Sequence, residues 1–189
     1  MIPPAEAGRG VIELAEARPV VIVLAEAGRG VIPLADELPW LLPGTLLSLL
    51  AAIAGARRVG AWLGVPALVA GVLVLDVGVI LAATLSPLGC ARPEVGTAAG
   101  RCDVLRFGLA PLAALWPPGD VAGNILGFVP IGFAIGLARH RRRATALLLV
   151  AILMPVAIEA TQLLVESLGR SCEAADVVDN LTGVALGVL

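Results

Sequence analysis

Two eight-residue stretches of this 189-residue chain share a polar pattern set in apolar surroundings. Asp120–Gly127 reads DVAGNILG and Asp176–Gly183 reads DVVDNLTG, so both fit D-V-x-x-N-[IL]-x-G. An Asp and an Asn four apart share one face of a helix. Between the two copies lie Glu159 and Gln162, three apart and also on one face, and then Arg170. Glu159 is a candidate general base and Asp176 a candidate partner that stabilises charge or holds a cation, because burial raises the pKa of such carboxylates. Arg170 can pair with phosphate or carboxylate. Asn124 and Asn180 offer neutral donors beside two helix N-termini. Asp120, Asn124, Glu159, Gln162, Arg170, Asp176 and Asn180 are therefore the candidate ligand-binding set.

These groups must be positioned by membrane-spanning helices. The chain is 59% hydrophobic and 15% charged, with a mean hydropathy of +0.98. A soluble domain of this size needs more charge to solvate its surface. Long apolar runs place spans at 38–56, 62–85, 121–138 and 144–165, with a fifth beginning at Val177. The fold class expected is an all-α, polytopic helical membrane bundle of about five transmembrane helices. The fifth run has only 13 residues, short of the ~30 Å hydrocarbon core. It either enters the membrane without crossing it or is cut before its natural end, and truncation is the favoured reading. Residues 1–37 carry a ten-residue repeat (AEAGRGVIEL, AEARPVVIVL, AEAGRGVIPL). Glu and Arg interrupt every copy, so this segment is expected to be poorly ordered and to stand outside the working domain, 38–189.

Arginine placement orients the bundle. Arg57 and Arg58 lie between the first two spans, and Arg139, Arg141, Arg142 and Arg143 between the third and fourth. With five spans both loops fall on one side, which the positive-inside rule makes cytoplasmic. The N-terminus and the cysteine-containing loops are then expected outside. Asp120, Asn124, Asp176 and Asn180 open the third and fifth spans from that outer side, flanking Glu159 and Gln162 near the end of the fourth. Asp76 lies deeper, in the middle of the second span.

Several features have a plainer structural explanation. Asp120 and Asp176 suit helix N-termini as caps, and Asn124 and Asn180 can hydrogen-bond between helices. The glycines at 123, 127, 132, 136, 183 and 187 have the spacing of close helix packing. For Glu159 a packing role is harder to find, since it follows the kink-prone Pro155 by one turn. Cys90 and Cys102 either form a disulfide or, with Cys172, stay as thiols; the outer compartment permits a bridge. The apolar stretch 104–116, broken by Arg106, suits the membrane interface, with Trp116 at headgroup level. With no C-x-x-C spacing and a lone His140 inside an arginine run, neither a metal site nor a cofactor is expected. The net charge of −2 argues against a nucleic-acid partner.

The string Asp120-x-x-x-Asn124-x-x-x-Phe128-x-Pro130-x-Gly132-Phe133, then Glu159-x-x-Gln162, Arg170 and Asp176-x-x-x-Asn180-x-x-Gly183, resembles the VanZ-like family. The resemblance covers about residues 60–189. It implies a small multi-pass protein of the bacterial plasma membrane, from a family named for a teicoplanin-resistance protein and tied to the cell envelope. The family's chemistry is poorly defined, so it supplies no reaction. Gly127 before Phe128, the additional Asp179, and Cys172 and Glu173 after Arg170 depart from its pattern. Three functions remain open. The chain could bind or modify an amphiphile in the outer leaflet of the bilayer, such as a lipid-linked cell-wall precursor held through Arg170. It could be a membrane enzyme using Glu159 and Asp176, or a small carrier.

Overall fold

A computed structural model describes residues 38–88, 100–116 and 119–189. The repeat at 1–37 and Cys90 lie outside the described residues. The described residues form five α-helices: α1 Leu41–Leu63, α2 Ala67–Thr84, α3 Asp120–Leu137, α4 Arg141–Leu164 and α5 Ala174–Val188. Two short strands, β1 Cys102–Asp103 and β2 Cys172–Glu173, pair in parallel. The first four helices are long and apolar enough to cross a membrane. Helix α5, with 15 residues, extends about 22 Å at 1.5 Å per residue.

Local chemistry explains most helix boundaries. Helix α1 does not stop at Arg57 and Arg58, where the apolar run ends, but continues to Leu63. Arginine is a good helix former. Termination waits for Gly64, which adopts a left-handed φ of 75° and sends its N–H to the Gly60 carbonyl, with Pro66 two residues on. Trp62 therefore belongs to α1, not to the second span. Pro87 follows the end of α2, and a three-residue connection links α3 to α4. Ser48, Thr84, Thr145, Thr161 and Thr182 each donate a hydroxyl to the carbonyl four residues back, which satisfies these polar groups within their own helix.

Helices α1 and α2 form an antiparallel hairpin in which Gly78 faces Ser48 and Gly44 faces Ala82. Helices α3 and α5 make the other close pair, and they run parallel. A Cβ at Gly183 would overlap the Ile125 carbonyl oxygen, one at Gly187 the Val129 carbonyl oxygen, and one at Gly132 the Val184 carbonyl oxygen. Gly136 faces Val188 in the same way. The backbones touch because these positions lack side chains. Sequence alone set α3 and α5 on either side of α4; instead they lie directly against each other, and α4 contacts both. Gly123 and Gly127 are not part of this seam: Gly123 has open space around its Cβ position, and Gly127 faces Ile80 at 3.7 Å.

The buried core includes Leu63, Ala70, Leu73, Ile131, Ala134, Ile135, Ala151 and Val184, with Phe128, Ile80 and Ile158 above them. Large apolar side chains such as Leu47, Ile53, Leu68, Leu126, Leu153 and Val156 point outward, as lipid-facing positions do when the bilayer is the solvent. Arg57 and Arg58 lie within the last turns of α1 and not between the spans, and the α1–α2 turn meets the α3–α4 connection at one end. Arg143 donates to the Trp62 carbonyl and lies 5.7 Å from the centroid of the Trp62 ring. His140 and Arg139 pack beside Gly64.

The α3–α5 seam carries a direct prediction. Gly183→Val should destabilise the bundle by about 1–3 kcal/mol, the usual cost of overpacking a tight contact. Gly123→Ala should leave it near wild type, because that Cβ meets nothing. Thermal denaturation of the two variants in the same detergent would check both, and equal midpoints would contradict this packing.

Candidate functional site

The end of α2 opposite the arginines brings most of the polar groups together, and its unfinished hydrogen bonds explain part of the arrangement. The last carbonyls of any helix lack intrahelical donors. Here the Arg170 guanidinium donates from Nη2 to the Ala83 carbonyl at 2.8 Å and from Nε to the Ser86 carbonyl at 3.1 Å. Gln162 Nε2 donates to the Thr84 carbonyl at 3.0 Å. A cation at a helix C-terminus also complements its dipole. Buried Ser86 accepts the Trp40 N–H through its hydroxyl, tying the start of α1 to the same point. Two residues chosen from sequence as ligand groups thus also hold the end of α2, Gln162 against α4 and Arg170 against the loop that follows it. Burial lowers the Arg170 pKa, while the charges of Asp120, Glu159 and Asp176 oppose that shift.

Glu159 has a similar dual position. It is 5% exposed, and its Oε2 accepts the backbone N–H of Glu173 at 2.6 Å. This bond links α4 to the residue that precedes α5. Glu173 lies in β2, whose partner strand precedes α3 in the chain. Cys172 forms a disulfide with Cys102 across that strand pair. The Cys90–Cys102 pairing entertained from sequence is therefore replaced by Cys102–Cys172. The closeness of two cysteines in sequence says little when strand pairing brings a residue 70 positions away alongside.

Between α2, α3, α4 and α5 these residues line an open cavity of about 650 Å³. Asp120, Asn124, Glu159, Gln162, Arg170, Asp176 and Asn180 all line it. The parallel α3–α5 seam sets the two D-V-x-x-N copies at the same level, since Gly183 meets Ile125 and Phe128 while Gly187 meets Val129. Asp120 then stands level with Asp176, and Asn124 with Asn180. Asp76, Glu173, Ser171 and Thr84 also line the cavity and were not in the sequence-derived set. Asp76 had a visible signal as the lone charge of its span, but spacing alone could not show which way it faced.

Asp179 takes a separate course. It is fully buried, and its Oδ2 accepts from Arg106 Nη2 at 2.7 Å. The charge that breaks the apolar stretch 104–116 is thus the partner of the additional carboxylate in the second motif copy. Around Arg106, Leu105, Phe107, Leu109, Leu112 and Trp116 are exposed, in keeping with an interfacial segment anchored by one ion pair.

These features define a polytopic helical membrane protein with a polar, carboxylate-rich cavity at one end of an apolar bundle. A family model described as VanZ/LLP1 matches residues 93–189, just over half of the chain, and the chain belongs to that family. The match spans α3, α4 and α5, whereas α2, which supplies Asp76 and the capped carbonyls, precedes it. No curated protein and no solved structure matches the chain.

The Arg106–Asp179 pair is open to a double-mutant cycle. Arg106→Ala strands a buried carboxylate and should cost about 1–3 kcal/mol. This is below the range for fully buried pairs, because Arg106 is 42% exposed. Adding Asp179→Ala should recover part of that loss. Additive effects in a denaturation series would show that the two side chains do not interact.

Proposed function

We propose that this protein binds the polar head of an amphiphile from the outer leaflet of a bacterial plasma membrane. The observation that carries this reading is the cavity itself: a polar chamber of about 650 Å³ at the end of a lipid-embedded bundle. Arginines cluster at the opposite end. Two independent arguments support an outward-facing cavity. Under the positive-inside rule the arginine-rich end would face the cytoplasm. The Cys102–Cys172 disulfide lies at the cavity end, and such bridges persist in oxidising compartments. A lipid-linked cell-wall precursor is an amphiphile of suitable location. Its capture would connect the protein to the cell envelope and to the glycopeptide (teicoplanin) resistance for which the family is named.

An enzymatic reading has one observation in its favour: Glu159 and Asp176 line the same cavity. Loss of turnover of a lipid precursor in Glu159→Gln, with binding retained, would establish it. The carrier reading has less support, because the apolar layer of Leu73, Ile131, Ile135 and Ala151 lies on the arginine side of the cavity.

Binding is best tested with a variant that fills the cavity without touching the helix seam. Gly123 lines the cavity and has no atom near its Cβ position. Gly123→Trp should therefore fold normally yet reduce photo-crosslinking of a diazirine-labelled lipid-linked precursor at least about tenfold, a difference of ~1.4 kcal/mol. Unchanged crosslinking to α3 and α5 in this variant would exclude the cavity as the binding site.

A further inference from the structure

The charge balance of the cavity speaks to what sort of head group fits. Five carboxylates line it, from Asp76, Asp120, Glu159, Glu173 and Asp176, against the single guanidinium of Arg170. Two faces of that guanidinium are already committed, Nη2 to the Ala83 carbonyl and Nε to the Ser86 carbonyl. An incoming phosphate would therefore meet a partly used cation and several like charges.

The neutral polar groups add an independent observation. Asn180 lines the cavity and is only 3% exposed, and its Oδ1 has no hydrogen-bond partner among the described residues. Buried Oδ2 of Asp76 also lacks one. A buried acceptor without a donor is costly, and here both belong to residues lining one chamber. Asn124 Nδ2 is an unmatched donor in the same place. No three of the described His, Cys, Asp and Glu side chains converge closely enough to hold a metal ion. A cationic group that brings its own N–H donors fits this set better than a bare ion.

We propose that the cavity selects an ammonium-bearing head group, with the amine among Asp120, Asp176 and the Asn180 carbonyl oxygen, and a hydroxyl or carbonyl oxygen of the ligand accepting from Asn124. This rests on the amphiphile-binding reading and narrows it to a class. The two level D-V-x-x-N copies supply a carboxylate on each side of the amine, and a charge-assisted hydrogen bond to either is stronger than a neutral one. Asp76, deeper in α2, places a further carboxyl group at the floor. The chamber walls formed by Ile80, Phe128 and Ile158 are apolar, which leaves the polar contacts to the carboxylates and the two asparagines.

The test uses the full chain in phosphatidylcholine nanodiscs at neutral pH, with dodecylamine, dodecanol and dodecyl sulfate as probes. Specific binding is the difference between wild type and Gly123→Trp. Dodecylamine should bind at least ten times more tightly than dodecanol, with no specific binding of dodecyl sulfate. Asp120→Asn should weaken the amine by several-fold and leave dodecanol unchanged; Glu173→Gln, at another exposed position, gives a second charge removal should the first variant fold poorly. Absence of specific binding by all three probes would overturn the amphiphile reading itself. Equal binding of dodecanol and dodecylamine would overturn only the ammonium selection. Competition by methylammonium as strong as by dodecylamine would keep the ammonium class and assign its source to a soluble amine instead of a lipid.

Discussion

The close approach of α3 and α5 is the constraint on which the rest of the structure depends. Gly132, Gly183 and Gly187 let one backbone lie on the other with no side chain between them. In lipid, where no hydrophobic force drives helices together, such contact is a main source of association. The pairing is parallel, so the repeated motif lands side by side at one level. Had either helix carried an alanine at these points, the added Cβ would meet the facing backbone and the two helices would stand farther apart.

Around this pair, the remaining polar residues divide their duties between architecture and site. Arg170 and Gln162 complete the end of α2, and Glu159 fastens α4 to the residue before α5. The same side chains form the wall of the cavity. A membrane protein can place few polar groups, since each must be satisfied without water. Using one residue both to close a helix end and to face a ligand is an economical answer, and it makes simple substitutions at these positions hard to interpret without a stability measurement beside them.

How much of this was legible in the sequence depends on the range of the interaction. Hydropathy located all five helices, and the arginine runs indicated which connections share an end. The D-V-x-x-N repeat pointed to the level pair because its period survives in the helix geometry. Residues whose role comes from distant partners were opaque. Nothing in the spacing of Arg170 reveals that two of its donors meet carbonyls at and just past the end of α2, more than eighty positions away. Asp179 read as an excess charge until Arg106 was seen beside it. The end of α1 was misplaced because hydropathy reports lipid contact, whereas Gly64 and Pro66 report backbone geometry.

The bridge between Cys102 and Cys172 has a mechanical consequence. It joins the segment leading into α3 to the segment leading into α5, at the same end where the glycine seam begins. The backbone contact of α3 with α5, together with this tie between the segments before them, restricts sliding of one helix along the other. The opposite wall, formed by α2 and α4, is joined instead by reversible hydrogen bonds, those of Arg170 to the Ala83 and Ser86 carbonyls and of Gln162 to the Thr84 carbonyl.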